Sequence, residues 1–458
     1  MTSEQDRNST PVNLENINAY GVESYKKEYI QNLLAPLLDT PIKSVEELIS
    51  QGNKITSQLN NLNGFQSVSL KFDVSNSKSV EVNALNEKLV NVIGTIEAVP
   101  LKKSALSVRT IHSDLDHAVE LAYLNRNALG RGEFFQASSY LNFLNMTKNV
   151  DILASTPILD TSFRLFGHLN VSKTADKLFK SSSQAATSAE LGFTKQKFCK
   201  HANSLSTISG GLNLVNRSIN KIEDSANDEI KTYAGDSLKE SVFFNLTSSN
   251  MKYLSKSNCT LPLNGYSLSL TNEIAGFPQL LDDSQVEQSL VGDRQDQYYK
   301  LCLGFDYAKP IFNNNLSVSS NLKFGSIFNL AKDETVNFQD KFYPKVSGHF
   351  NPVMPSKSIG AGSFLSYNFD AYTKVGFVDI KEPLRLYASV NGASSANVSN
   401  GLEKNEMLQL TKDWKHGLDF GLLYTNGNAN AKLFWRKPIG ISNDFGKFGF
   451  EVDINGQW

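Results

Sequence analysis

Nowhere does this 458-residue chain hold the run of about 18 apolar residues that a membrane-spanning helix requires. Positive charge is not in excess either. Its 45 Lys and Arg face 46 Asp and Glu, a formal net charge of −1, which removes the electrostatic case for nucleic acid as a partner. Cysteine is scarce: Cys199, Cys259 and Cys302 are far apart, odd in number and without metal-ligand spacing, so free thiols are expected rather than a disulfide framework or a zinc site. The six histidines are scattered, with no i,i+4 pair and no carboxylate constellation, so no metal, cofactor or catalytic residue is predicted. The opening MTSEQDRNSTPVNLEN contains acids and lacks an apolar core, which fits neither a secretory signal nor an Arg-rich transit peptide; synthesis in the cytosol without secretory export is the expectation. The mean hydropathy of −0.29 looks soluble. A membrane barrel escapes that argument, because lumen-facing polar residues dilute the average.

What the chain does have is two regions with different periodicity. After an N-terminal tail over 1–14, residues 15–104 mix helix and strand signals. NINAYGV (16–22) suits a short strand. YKKEYIQNLLAPLL (25–38) and SVEELISQGNKITSQLNNL (44–62) carry helical apolar stripes, and Ser44 with Glu47 makes a capping box. GFQSVSLKFDV (64–74) and LVNVIGTIEAV (89–99) alternate as strands. The predicted order is β-α-α-β-β, a small α+β module.

From residue 105 to 458 helical signals nearly stop, and alternation recurs segment after segment: FRLFGHLNV (163–171), GYSLSLTNEI (265–274), NLKFGSIFNL (321–330), LRLYASVNG (384–392) and KFGFEVDI (447–454). About sixteen such segments, at roughly 22 residues per strand and connection, match spanning strands joined by turns and loops. One sheet of that size must expose its edges or close. The predicted architecture is therefore mainly β, a 16-stranded antiparallel transmembrane β-barrel in the lipid bilayer, preceded by the α+β module. In KFGFEVDI, Phe448, Phe450, Val452 and Ile454 would face lipid, and Lys447, Gly449, Glu451 and Asp453 the lumen.

Four stretches carry a family resemblance. The module with Gly64, Phe65, Val68 and Leu70 resembles a POTRA domain. NRNALGRGE (125–133) resembles the N-x-L-G-x-G turn after the second barrel strand of the outer-membrane β-barrel insertases, and VDILASTPILDTSFRLFGHLNV (150–171) their following hairpin. Lys447, Gly449, Val452 and Ile454 fit that family's terminal β-signal. With one POTRA-like module and no signal peptide, the chain resembles the core barrels of the mitochondrial sorting and assembly machinery. The resemblance implies a mitochondrial outer-membrane insertase with its N-terminal module towards the intermembrane space. It further implies β-barrel precursor proteins as clients and peripheral accessory subunits as partners. It also implies a lumenal loop tipped by a V/I-R-G-F motif whose arginine reaches an acidic wall residue. Here that stretch reads Val346-Ser347-Gly348-His349-Phe350, with serine in the arginine's place; either Arg385 or a nearby lysine substitutes, or the loop aligns elsewhere, or it is anchored more weakly.

The mechanism such a barrel implies is exchange of unpaired backbone. The first strand, with Leu106, Val108, Thr110 and His112, would bind precursor strands at a lateral gate against the last strand, and no catalytic residues are needed. Receipt of precursors by strand addition to 65–74 or 89–99 is also predicted. Two alternatives stay open on the residues alone: a passive porin-like or protein-conducting channel, and a soluble multi-domain β-rich binding protein.

Overall fold

The computed structural model describes residues 11–39, 42–60, 62, 64–75, 90–113, 117–144, 146–158, 163–176, 182–199, 204–224, 226, 228–255, 260–276, 297–312, 315–330, 336–343, 360–375, 384–396, 410–412, 414–425, 429–439 and 446–457. The N-terminal module contains β1 (Pro11–Tyr20), α1 (Lys27–Leu38), β2 (Ile42–Ser44), α2 (Val45–Asn60), β3 (Phe65–Val74) and β4 (Val90–Pro100). Its sheet order is β2-β1-β4-β3, with β1 parallel to β4 and the other pairs antiparallel. Two points correct the sequence reading. Strand β1 starts at Pro11, so Val12 and Leu14, assigned to the tail, are buried core residues. A three-residue strand, β2, separates the helices and pairs with β1.

The helical stripes do what their spacing predicts. Tyr29, Ile30, Leu34 and Leu37 of α1, with Leu48, Ile55 and Leu59 of α2, form one core with Phe65, Val92 and Ile96. The Glu47 N–H donates to Ser44 Oγ at 3.2 Å, capping α2. Phe65, Val68 and Leu70 belong to this core or pack against it, so their alternation reports packing on the helices.

The remaining strands are β5 (Ser104–Ser113), β6 (His117–Arg126), β7 (Phe134–Asn142), β8 (Lys148–Pro157), β9 (Phe163–Asp176), β10 (Ser182–Cys199) and β11 (Ser204–Asn220). After the short helix α3 (Asp228–Thr232) come β12 (Gly235–Ser249), β13 (Lys252–Ser255), β14 (Thr260–Ala275), β15 (Tyr298–Ile311), β16 (Leu316–Asn329) and β17 (Ser363–Lys374). β18 (Leu384–Ala396), β19 (Lys415–Thr425), β20 (Ala429–Ile439) and β21 (Lys447–Gln457) complete the set. Apart from the four-residue β13, which forms a side hairpin with β14, these sixteen strands pair in sequence and β21 returns to β5, so the sheet closes. Closure leaves no edge to hydrocarbon. Leu121, Leu169, Leu191, Leu212, Phe369 and Leu433 stand exposed on the outside. Neighbours in the alternating register, such as Arg164, Arg217 and Asp419, are buried inside. Cys199 and Cys302 are free thiols; Cys259 lies outside the described residues.

The ladders are unequal. β10 pairs with β11 from Ser183 to Cys199. At the closing seam β21 pairs with β5 only from Glu451 to Gln457, against Ser113 to Ser107. That is the shortest ladder between neighbouring long strands among the described residues.

Candidate functional site

Three constellations are built on this frame. The first is the seam. On β5, Leu106 and His112 point outward and are exposed; Val108 and Thr110 share their parity, alternating with lumenal Arg109 and buried Ile111. On β21, Val452 and Ile454 share the outward parity of exposed Phe448 and Phe450, while Gly449 is buried and Lys447 and Asp453 alternate with them on the inner face. The sequence reading singled out the outward residues of β5; the seam's strongest side-chain contact comes from the other face. Arg109 Nε and Nη2 donate to the Asp453 carboxylate at 2.9 and 2.7 Å, a two-point bond across the seam. Its Nη1 lies 3.6 Å from Glu120 on β6. Arg109, the one cation in ALSVRTIH, was detectable only once Asp453 was known to lie beside it.

The second constellation is a lumenal anchor. Residues 336–343, leading into the predicted loop, cross the barrel interior, and Asp340 is buried there. Arg217 of β11 donates to it from both terminal nitrogens at 2.7 and 2.6 Å, and Lys239 of β12 donates at 2.9 Å. Lys239 also meets Glu273 of β14 at 2.5 Å, and Lys300 of β15 donates to the Asp340 carbonyl at 2.6 Å. Apolar contacts flank the charges. Phe338 packs against Ile219 and Ile230, and Phe342 against Phe364 with ring centres 4.9 Å apart. The polarity is the reverse of the family expectation: at the loop's root an acid from the loop reaches basic wall residues. The motif residues Val346, Ser347, Gly348 and Phe350 lie outside the described residues.

Arg385, offered above as a substitute for the missing loop arginine, is buried in β18, and its Nη1 donates to the neighbouring Leu384 carbonyl at 2.8 Å. A buried wall acid is present, Asp419 of β19, and it accepts from Arg436 of the adjacent strand β20 at 2.6 and 2.7 Å. The wall thus supplies its own arginine.

The third constellation joins the module to the barrel. In NRNALGRGE, Asn127 adopts φ 62° and is buried. Its side-chain nitrogen donates to the Ser24 carbonyl at 2.8 Å, and its side-chain oxygen accepts from Gly132 N–H at 2.9 Å. The Lys26 N–H donates to the Gly130 carbonyl at 2.8 Å. Glu133 accepts from the amides of Leu129 and Arg131, at 3.2 and 3.0 Å, so its own carboxylate fills the nest a phosphate would take. Arg164 of β9 holds the turn from below by donating to the Gly132 carbonyl at 2.9 Å. Beside it, burial raises the phenols of Tyr25 and Tyr29, the latter to about 12, so both stay neutral at physiological pH. Gly130 and Gly132 have φ of 84° and 80°, and a Cβ on Gly132 would stand 2.9 Å from Leu62 Cδ2. Gly132→Val should therefore cost about 2 kcal/mol at this junction. The expected readout is faster protease cleavage near residues 101–103 while the barrel keeps its folded gel mobility.

Among the described residues no group of His, Cys, Asp and Glu could hold a metal. His168, between Asp151 at 2.7 Å and Glu190 at 3.3 Å, is part of the polar wall.

A closed barrel with an apolar exterior, a charged lumen anchored to its own loop and one α+β module before the first barrel strand define a membrane β-barrel that carries an N-terminal α+β module. Residues 127–458 match the Omp85 superfamily domain, and the chain belongs to that superfamily. Over 97% of its length it is 22% identical to a SAM50-like protein of Schizosaccharomyces pombe, covering 90% of that protein. In fold it is similar to BamA from Haemophilus ducreyi lacking POTRA domains 1–3, with a TM-score of 0.65 and 11% identity over 97% of this chain and 85% of that one. It is also similar to CdiB from Acinetobacter baumannii, with a TM-score of 0.56 and 13% identity over 98% and 74% of the two chains.

Proposed function

We propose that the protein folds and inserts β-barrel precursors into the mitochondrial outer membrane by strand exchange at the β5–β21 seam, with the N-terminal module towards the intermembrane space. The observation that carries this reading is the short closing ladder. A strand entering hydrocarbon with free N–H and C=O groups costs several kcal/mol per group. If β21 yields its place on β5 to a client's last strand, each broken backbone bond is replaced by a like one, and the exchange is nearly isoenergetic. A ladder of seven positions, Glu451–Gln457, presents fewer bonds to exchange than any other between neighbouring long strands of the described barrel. The backbone of Leu106, Val108, Thr110 and His112 would then receive the client, and Lys447, Gly449, Val452 and Ile454 would mark the strand it displaces. No covalent step is involved.

The module's sheet order limits how it can take part. β4 is flanked by β1 and β3, so the expectation that 89–99 receives a strand is corrected: that position is occupied. β3 (Phe65–Val74) is the end strand of the described sheet and is the edge at which a precursor could add. Peripheral accessory subunits would bind outside the barrel.

The test is a disulfide crosslink. With Ser107→Cys on β5, which faces Gln457 in the closed seam, a precursor carrying cysteine at the matching place in its last strand should crosslink during assembly. A barrel that assembles clients while never forming this crosslink overturns the lateral-gate reading; one that conducts ions steadily and neither crosslinks to clients nor assembles them is a passive channel.

A further inference from the structure

We infer that Arg109 selects clients: the gate prefers a precursor whose last strand carries a carboxylate on its lumen-facing side between the two final outward hydrophobics. This rests on the strand-exchange reading above and adds a chemical requirement to it.

The two edges of the Arg109 guanidinium face different strands. Nη1 points to Glu120, 3.6 Å away on β6. β6 pairs with β5 from Ser104↔Asn125 through His112↔His117 and stays in the wall when β21 departs. Nε and Nη2 form the other edge, and both bond to Asp453. Displacing β21 therefore removes the carboxylate from one edge and leaves the other restrained. The result is an oriented two-donor fork at the open seam, matched to a carboxylate.

The strand register fixes where on a client that carboxylate must sit. Asp453 lies opposite Ile111, and Asn455 opposite Arg109, so the ion pair is a diagonal contact two positions along the ladder. A client strand adopting β21's register places one lumen-facing residue at Asp453's position, between the counterparts of Val452 and Ile454. Aspartate or glutamate there restores the two-point bond. An amide offers a single neutral acceptor, and lysine brings like charge against the guanidinium, the repulsive element that specificity requires. The Arg109 side chain is 43% exposed, so water softens the discrimination.

The experiment uses the full chain in lipid vesicles with Ser107→Cys. One client barrel is made in three versions differing only at that position, as Asp, Asn or Lys, each with a cysteine four residues further along, opposite Ser107 in this register. Crosslink yield should fall about fivefold from Asp to Asn, roughly 1 kcal/mol of coupling, and further for Lys. In Arg109→Glu the order should reverse, with the Lys client ahead of Asp. Arg109→Gln, the milder change should the reversal fail to assemble, should flatten Asp and Asn to equal yields. Equal yields for all three clients at the unmodified gate, or an order unchanged in Arg109→Gln, overturn the selection while leaving strand exchange standing. Failure of every client to crosslink overturns both.

Discussion

Replacing Asp340 by alanine is expected to destabilise the folded barrel by about 3 kcal/mol, because it strips the shared acceptor from two buried cations. Arg217 and Asp340 are only 6% and 5% exposed at the side chain, so water cannot make up the loss as it does at a surface pair. Lys239 keeps Glu273, at 2.5 Å, which confines most of the penalty to Arg217. The measurement is the temperature at which the folded gel band is lost in detergent, compared across Asp340→Ala, Asp340→Asn and the double change Asp340→Leu with Arg217→Met. The alanine variant should fall furthest. The apolar double variant should recover most of the loss, since Arg217 no longer leaves a buried charge without its acceptor and Lys239 keeps Glu273. An alanine variant as heat-resistant as the parent would mean that the loop root contributes nothing to holding the wall.

The second large effect is expected at Arg436→Ala. Asp419 is fully buried and receives two guanidinium bonds from the next strand, so the variant leaves a carboxylate inside the wall with both bonds gone. A loss of about 3 kcal/mol is again the scale. A different readout separates it from Asp340: amide hydrogen exchange should quicken along β19 and β20, and remain slow in β11 and β12 around the lumenal anchor. Arg436→Lys should recover only part, because an ammonium cannot reproduce the planar fork. Unchanged exchange in β19 and β20 would show that the pair is dispensable to the wall.

The barrel was legible in the sequence because its strands announce themselves locally. KFGFEVDI, FRLFGHLNV and LRLYASVNG each alternate, and the count of such segments matches the sixteen long strands. Closure followed from the cost of an exposed edge. What escaped was information set by long-range pairing. Arg109 and Asp453 are separated by most of the chain, and nothing in ALSVRTIH says that its arginine lies beside EVDI. Nothing in FQDKFY sets Asp340 apart from other polar residues; only the fold brings Arg217 and Lys239 around it. The family pattern directed attention to Ser347, at the loop's tip, whereas the described contact is at its root and of opposite sign. In the module, periodicity found both long helices and the strands. It could not tell that β4 is central and β3 terminal, since period two is the same at either place, and it missed the short β2.

The placement of the lumenal anchor has a mechanical consequence. Asp340 ties the loop root to β11, β12 and, through its carbonyl, β15, across the ring from β5 and β21. One arc of the cylinder is thus cross-braced through its own filling, as a keel stiffens one side of a hull. The opposite arc has shorter ladders, and the ion pair Arg109–Asp453 spans its closing seam. Distortion of the ring is expected to concentrate in the unbraced arc, which is where the proposed strand exchange would act.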